Sequence, residues 1–273
     1  MEKMQNNFNI SIIHPTCRPG IARETREKWL DLASKPDLVE YLLCIDSDNN
    51  NSPKTSIIKE NSKELFYPLI NGESVGPVQK SNLAAQNSTS NCILFAADDL
   101  SPNKDWDYDI YNCTNWDNDV VLRIPDNTEE TQQRLHPYLI VNPAISRKRY
   151  QKFGYFYHPK FYANFSDNFF SFLAHKDDVV IHNEEIVFYH DQSKYIKQEN
   201  DNPLERNLDK FQLKMHCAEN YNKGYNTFLE LIPHHITENE INNLSEEYLF
   251  ANEKRKKNIL FVLNSVNLKG KKS

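Results

Sequence analysis

Two adjacent acids close a short apolar run in the first half of the sequence. The run at 92–97, CILFAA, leads directly to Asp98 and Asp99, and a turn signal at 100–102 ends it. Carboxylates this close repel each other unless a cation or a proton shares their site. The pair therefore indicates either a divalent-metal site that faces a phosphate or, where nothing binds, two solvated acids at a strand end.

Two earlier strand-like runs, at 9–13 and 39–45, also end on polar residues. Ligands of open α/β sheets bind at the carboxyl ends of the strands, so we expect these groups to meet the acidic pair at one edge. That layout suits a nucleoside diphosphate, because acids can bind the base or ribose and a guanidinium can contact phosphate. The polar residues after the two runs are Pro15, Thr16, Arg18, Asp46 and Asp48.

Composition and missing motifs exclude several classes of protein. The net charge of −6 argues against a general nucleic-acid binder. The first strand is followed by no dinucleotide-binding G-x-G-x-x-G, and there is no P-loop. Five cysteines without paired spacing predict free thiols in a reducing compartment, and we find neither a leader signal nor a membrane-length apolar run. The sequence therefore predicts a cytoplasmic protein.

Strand and helix patterns alternate through the first hundred residues, which is typical of a parallel α/β sheet. The pattern after residue 100 is less regular, and helical periods dominate from residue 204 onward. The interval 177–181 looks like a solvated turn followed by an apolar run. Further strands are predicted at 119–124, 138–141 and 185–189, and helices at 146–153, 165–174 and 246–263.

The order of these motifs resembles that of family-2 glycosyltransferases with the GT-A fold. No single motif is decisive, and the similarity extends over about residues 8–205. The matching positions are Pro15-Thr16-Cys17-Arg18 after the first strand, Asp46 or Asp48 after the second, Gly76, Lys80 and Asn82 in the helix before the acidic strand, Asp98-Asp99 with Trp106 beyond them, Asp167 at a helix start, and His190 at a late strand end.

The resemblance implies inverting, metal-dependent transfer of a sugar from a UDP- or GDP-sugar to a hydroxyl group during glycan or glycoconjugate synthesis. It implies Asp167 as the general base, although a helix cap alone would also explain that residue. Ala96 stands where the family has an acid, so the ligands of Mn²⁺ or Mg²⁺ would be Asp98, Asp99 and His190. Trp106 would line the acceptor cleft. Donor-binding roles fall on Pro15, Thr16, Arg18, Asp46, Asp48, Lys80, Asn82 and Asp98.

Residues 1–205 are therefore expected to form a GT-A-like domain with a mixed, mostly parallel sheet flanked by helices, and residues 206–273 a helical extension. The extension carries an apolar stripe and lysines, which suit a homo-oligomer face or contact with an anionic membrane surface at the inner face of a membrane. The competing hypothesis is a non-catalytic nucleotide- or glycan-binding module on a degraded GT-A fold, which the missing acid at Ala96 keeps open. A sugar nucleotidyltransferase or a nuclease fits less well.

Overall fold

The computed structural model describes residues 9–47, 54–59, 61–127, 138–190 and 217–268. These residues form ten strands and eight α-helices. The strands are β1 (Ile10–Thr16), β2 (Val39–Ser47), β3 (Lys54–Lys59), β4 (Ser62–Pro68), β5 (Cys92–Phe95), β6 (Leu100–Ser101), β7 (Val121–Ile124), β8 (Asn142–Ser146), β9 (Val180–His182) and β10 (Tyr189–His190). The helices are α1 (Pro19–Asp31), α2 (Gly76–Asn87), α3 (Trp106–Asn112), α4 (Arg147–Phe153), α5 (Ser166–Lys176), α6 (Ala218–Leu231), α7 (Glu238–Phe250) and α8 (Glu253–Asn267).

Eight of the strands form one mixed sheet in the order β3-β4-β2-β1-β5-β8-β7-β9. β3 and β8 run antiparallel to their neighbours, and the other six strands point the same way. The prediction of a mostly parallel sheet flanked by helices is confirmed. The carboxyl ends of β1, β2, β5 and β7 consequently lie along one edge.

The central strands are apolar on both faces because helices cover both faces of the sheet. Along β2, Leu42 and Cys44 pack into the hydrophobic cluster on one face, whereas Tyr41 and Leu43 pack into the cluster on the other. This alternation follows from the two-residue period of a strand. The sheet is thus a rigid platform between two cores, and it fixes the positions of the strand ends.

The three C-terminal helices share a core with the sheet. Phe228 of α6, Leu244 of α7 and Ile259 of α8 belong to the same buried cluster as Ile13 of β1. The predicted domain boundary near residue 205 lies outside the described residues and stays a prediction. Among the described helices, none is both long enough and apolar enough to cross a bilayer.

Three predicted segments differ from the structure. The interval 138–141 is not a strand, and the neighbouring segment forms β8, which pairs with both β5 and β7. The interval 185–189 is not a strand over its length, because 184–185 form a turn and β10 begins only at Tyr189, whereas the apolar run at 179–181 contributes the edge strand β9. The helix predicted over 246–263 is interrupted because Ala251 is extended and the Asn252 side chain accepts the backbone N–H of Arg255 to cap α8.

Candidate functional site

A cavity of about 150 Å³ opens at the carboxyl ends of β1 and β5. It lies at the sheet edge where the sequence predicted a ligand site, and Ser74, Gly76 and Tyr162 contribute to its wall. The structure brings six of the predicted site residues into its lining. These are Pro15, Thr16, Arg18, Lys80, Asp98 and Asp99.

The Asp98 carboxylate has three side-chain partners on β1 and on the turn that follows it. His14 Nε2 lies 2.9 Å from Oδ1. Thr16 Oγ1 and Arg18 Nε donate to Oδ2 at 3.1 and 2.8 Å. His14 Nδ1 is in turn 2.8 Å from the Tyr41 hydroxyl. All five side chains are buried, so Asp98 is the centre of a polar network inside the sheet edge.

Asp98 keeps its charge despite its burial. Burial raises the pKa of its carboxyl, but the hydrogen bond and charge of His14, the charge of Arg18 and the hydrogen bond from Thr16 together bring that pKa below its ordinary value. Burial also raises the pKa of Tyr41 well above its ordinary value, so its hydroxyl stays protonated. The network therefore contains an ionised carboxylate at neutral pH.

Helix α1 fixes the backbone that carries the acidic pair. The Thr25 hydroxyl donates to the Asp98 carbonyl at 2.7 Å, and the Trp29 indole donates to the Leu100 carbonyl at 2.9 Å. The helix itself begins in a tight turn, because the Arg18 N–H bonds the Thr16 hydroxyl at 2.7 Å and Pro19 follows at the first helical position. The turn after β1 and the turn after β5 are thus held together.

Lys80 places a second cation in the cleft wall. Its ammonium donates to the Thr16 carbonyl and to Asp46 Oδ2, both at 2.8 Å, and to the Ser74 hydroxyl at 3.4 Å. Asp46 Oδ1 accepts from that same hydroxyl at 2.9 Å. Asp46 therefore orients Lys80 and Ser74, both of which line the cleft. Asp48 lies outside the described residues, and its predicted role stays a prediction.

Asp99 faces away from this network and meets His190. Pairing of β10 with β6 brings His190 opposite Leu100, and His190 Nε2 lies 2.9 Å from Asp99 Oδ2. The Asn127 side chain accepts the His190 backbone N–H at 2.7 Å, and Asp126 Oδ2 lies 4.0 Å from Nδ1. The late histidine is thus joined to the acidic pair, as predicted, but through Asp99.

The chemistry of Asp99 and His190 fits a divalent cation. Adjacent ligands of an octahedral Mg²⁺ or Mn²⁺ lie about 3 Å apart, close to the separation of these two atoms. A carboxylate and one imidazole suit Mn²⁺ well. Within the described part of the chain, no group of three or more His, Cys, Asp or Glu side chains is arranged to hold a metal. An ion here would therefore need further oxygens, such as those of a bound diphosphate.

Neither Asn82 nor Trp106 lines the cleft. The Asn82 amide bonds the backbone of 156–157, accepting from Phe156 and Tyr157 at 2.9 and 3.0 Å and donating to the Tyr157 carbonyl at 2.8 Å. Trp106 is only 1% exposed, and its indole donates to the Trp29 carbonyl. Asn82 thus fixes a loop beside the cleft, and Trp106 belongs to the core rather than to an acceptor surface.

Asp167 lies in the first turn of α5, where its Oδ1 accepts the backbone N–H of Asn168 at 2.9 Å. The residue at the cap position is Phe165, which has a φ of 68° and makes no side-chain cap. Asp167 is half-buried, and its charge adds to the effect of burial in raising the pKa of the Tyr157 phenol well above its ordinary value. Tyr157 packs on Phe95, which lines the cleft. Asp167 itself does not line the cleft.

The sequence pattern missed two residues of the site, His14 and Ser74. His14 interrupts an otherwise apolar strand, and that interruption was a signal that could have been followed. Ser74 had no such signal, because a loop brings it to the cleft, where its carbonyl accepts the Tyr162 hydroxyl at 3.2 Å. Burial, with the charge of Asp46, raises the pKa of Tyr162 to about 12, so this phenol is a hydrogen-bond donor at neutral pH.

Gly76 allows the backbone at the start of α2 to pack closely against Tyr162 in the cleft wall. Its φ is +85°, and a Cβ here would lie 2.6 Å from the Tyr162 carbonyl oxygen. We expect Gly76→Ala to lower the free energy of unfolding by about 3 kcal/mol, from left-handed strain plus overpacking. Gly72 is the matched control, since its φ is +78° and nothing lies within 4 Å of its added Cβ.

Gly72→Ala should cost only the strain, about 1–2 kcal/mol. Urea unfolding of the two variants separates strain from contact. Equal losses in the two variants would mean that the close approach of Tyr162 does not constrain Gly76.

Comparison with solved structures finds TarS of S. aureus. Its residues 1–349 in complex with UDP-GlcNAc match with a TM-score of 0.52 and 12% identity, covering 97% of this chain and 92% of that chain. The complex with UDP gives a TM-score of 0.51 and 13% identity at the same coverage. Comparisons with protein-family models and with curated proteins give no match. At this level of identity the similarity shows the fold alone, and the predicted GT-A-type fold is confirmed.

Proposed function

We propose that this chain is an inverting glycosyltransferase that moves a sugar from a UDP- or GDP-sugar to a hydroxyl of a glycan or glycoconjugate. One observation carries the proposal: Arg18, Lys80 and Asp99 line one cleft at the carboxyl edge of a GT-A sheet, and His190 lies against Asp99. TarS, which has the same type of fold, was solved with UDP and with UDP-GlcNAc. That supports a nucleotide sugar as the donor.

The cations of the cleft suit a diphosphate leaving group. Arg18 and Lys80 are buried and each is balanced by a carboxylate, Asp98 and Asp46 respectively. Buried cations of fixed position can stabilise the charge that develops on the diphosphate as the sugar bond breaks, at little cost in reorganisation. Asp99 and His190 would hold Mn²⁺ or Mg²⁺, which would supply further neutralisation of that charge.

Asp167 is proposed as the general base. In an inverting transfer the acceptor oxygen attacks the anomeric carbon and forms the new glycosidic bond, while the bond to the diphosphate breaks on the opposite face. The acceptor hydroxyl must lose its proton as it attacks, and a carboxylate can take that proton. Asp167 is half-buried, so its carboxylate is partly open to solvent and to an acceptor that enters there.

A thermal-shift screen tests nucleotide binding. We expect UDP or GDP to raise the melting temperature, and to raise it further with Mn²⁺, because a ligand of the folded state stabilises it by mass action. At a hundredfold excess over Kd the increase should be about 5 °C for a chain of this size. Uridine and guanosine are controls that lack the diphosphate. If neither diphosphate shifts the melting temperature with or without Mn²⁺, the proposal is wrong.

A non-catalytic module on the same fold remains the second candidate, because Ala96 replaces an acid of the family pattern and is itself buried. Binding without turnover over a panel of nucleotide sugars would favour it. Membrane contact, self-association and a cytoplasmic location stay predictions. Leu249 and Phe250 are 68% and 89% exposed. Replacing them with polar residues would test membrane contact by vesicle sedimentation and self-association by light scattering.

A further inference from the structure

We infer that the two adjacent aspartates of the cleft serve different cations. Asp98 anchors the guanidinium of Arg18 as an internal diphosphate-binding group, whereas Asp99 and His190 hold the divalent ion. The inference rests on the proposed function, since it takes the ligand to be a nucleoside diphosphate. It removes Asp98 from the metal-ligand set that the sequence predicted.

Asp98 is already coordinated by the protein. A carboxylate has about four lone-pair positions, and His14, Thr16 and Arg18 occupy three of those of Asp98. Arg18 Nε lies 2.8 Å from Oδ2, so a divalent ion on the same oxygen would adjoin a guanidinium and be repelled by it. Displacing Arg18 would instead leave a buried charge without its counter-ion, which is strongly unfavourable.

The Asp98 carboxylate is also fixed in orientation. His14 belongs to β1, in the middle of the sheet, and is completely buried between Tyr41 and Asp98. The Asp98 carbonyl is held by Thr25 of α1. Rotation of the carboxylate toward an ion in the cleft would break the hydrogen bond to His14 as well as those to Thr16 and Arg18. His14 is therefore a positioning residue that keeps Asp98 directed at Arg18.

Asp99 has a different environment although it is the next residue. Its Oδ2 faces the imidazole of His190, an ordinary metal ligand, at a distance suited to two adjacent ligands of one ion. Asp126 Oδ2 lies 4.0 Å from the other ring nitrogen, which is too far for a hydrogen bond but close enough for its negative charge to favour a cation nearby. The pair thus has the donor atoms that a cation site requires.

The hydrogen bond to Asp98 prepares Arg18 to bind phosphate. Arg18 is one of the residues that line the cleft, and a guanidinium is planar with donors that suit phosphate oxygens. The bond from Nε to Asp98 sets the orientation of that plane before any ligand arrives. Part of the affinity for a diphosphate should therefore be independent of metal, and that part should depend on Arg18 and Asp98.

Calorimetric titration with UDP and with GDP, each in EDTA and in Mn²⁺, separates the two roles. The proteins compared are the wild type, Asp98→Asn, Asp99→Asn and Arg18→Gln. For each protein the readouts are the affinity in EDTA and the ratio of the affinity in Mn²⁺ to that in EDTA. A melting curve for each variant establishes that it is folded.

We expect Asp98→Asn and Arg18→Gln each to weaken binding in EDTA by about tenfold or more, the usual effect of losing a charged hydrogen bond. Both should keep the Mn²⁺ ratio within about twofold of the wild type, whereas Asp99→Asn should bring the ratio close to one. The double variant of Asp98 and Arg18 should lose no more than Arg18→Gln alone, because the two residues act as a unit.

If the ratio of the affinity in Mn²⁺ to that in EDTA falls as far in Asp98→Asn as in Asp99→Asn, then Asp98 is a metal ligand and the inference is overturned. If Asp98→Asn does not fold, Arg18→Gln decides: unchanged affinity in EDTA overturns the inference, and weakened affinity with an intact ratio supports it. A wild type that binds neither nucleotide in either buffer contradicts the proposed function itself, which is a different result from any of these.

Discussion

Replacing Asp167 with asparagine should lower sugar transfer by about 10² to 10⁴-fold while nucleoside diphosphate binding is unchanged. The amide keeps the size of the side chain and can still accept the N–H of Asn168, so the start of α5 should persist. What it loses is the ability to take a proton from the acceptor hydroxyl. The measurement is the initial rate of transfer, with the Kd for UDP or GDP determined in parallel.

Asp109→Asn is the matched control for that variant. Asp109 is also an acid in the first turn of a helix, α3, but it is exposed and does not line the cleft. Its transfer rate should equal that of the wild type. A normal rate in Asp167→Asn would refute the assignment of the base. A loss of nucleotide affinity in that variant would show that Asp167 acts on the donor instead.

Replacing Lys80 with methionine should lower the free energy of unfolding by about 3–5 kcal/mol, the usual cost of removing one partner from a buried ion pair. The substitution leaves Asp46 without its cation and the Thr16 carbonyl without its donor. The affinity for UDP or GDP should fall as well, because the cleft loses an internal cation. Urea unfolding measures the first effect and calorimetry the second.

Lys160→Met controls for the loss of a lysine. Lys160 pairs with Glu230 at 2.7 Å, but both side chains are more than half exposed, so solvent screens the pair and no measurable change in stability is expected. If Lys80→Met is as stable as Lys160→Met, the network around Asp46 does not hold the cleft together. Loss of nucleotide affinity without loss of stability would leave Lys80 a binding residue only.

The edge of the sheet that carries the site was predictable from the sequence. Apolar runs ending on polar residues, separated by helical patterns, require parallel strands whose carboxyl ends share an edge. That is why the residues after β1 and β5 do meet in the cleft. Pairings made by short strands were not predictable, since β6 and β10 have only two residues each and no pattern of their own.

The partners of the acidic pair could not be predicted from the sequence either. Asp98 and Asp99 look equivalent as adjacent residues, but successive side chains diverge, and their neighbours come from β1 on one side and β10 on the other. Trp106 follows the pair closely in sequence, yet an aromatic ring that size gains more by packing on Trp29 than by facing water. Spacing alone does not determine which way a side chain points.

The most direct test of a glycosyltransferase activity is release of nucleoside diphosphate from a panel of UDP- and GDP-sugars in Mn²⁺, with and without glycan acceptors. The account predicts that at least one donor is cleaved, that an acceptor with a free hydroxyl accelerates the cleavage, and that Asp167→Asn abolishes this acceleration. Binding of a nucleotide sugar with no cleavage of any donor would contradict the proposed catalysis and leave the binding module as the function of the fold.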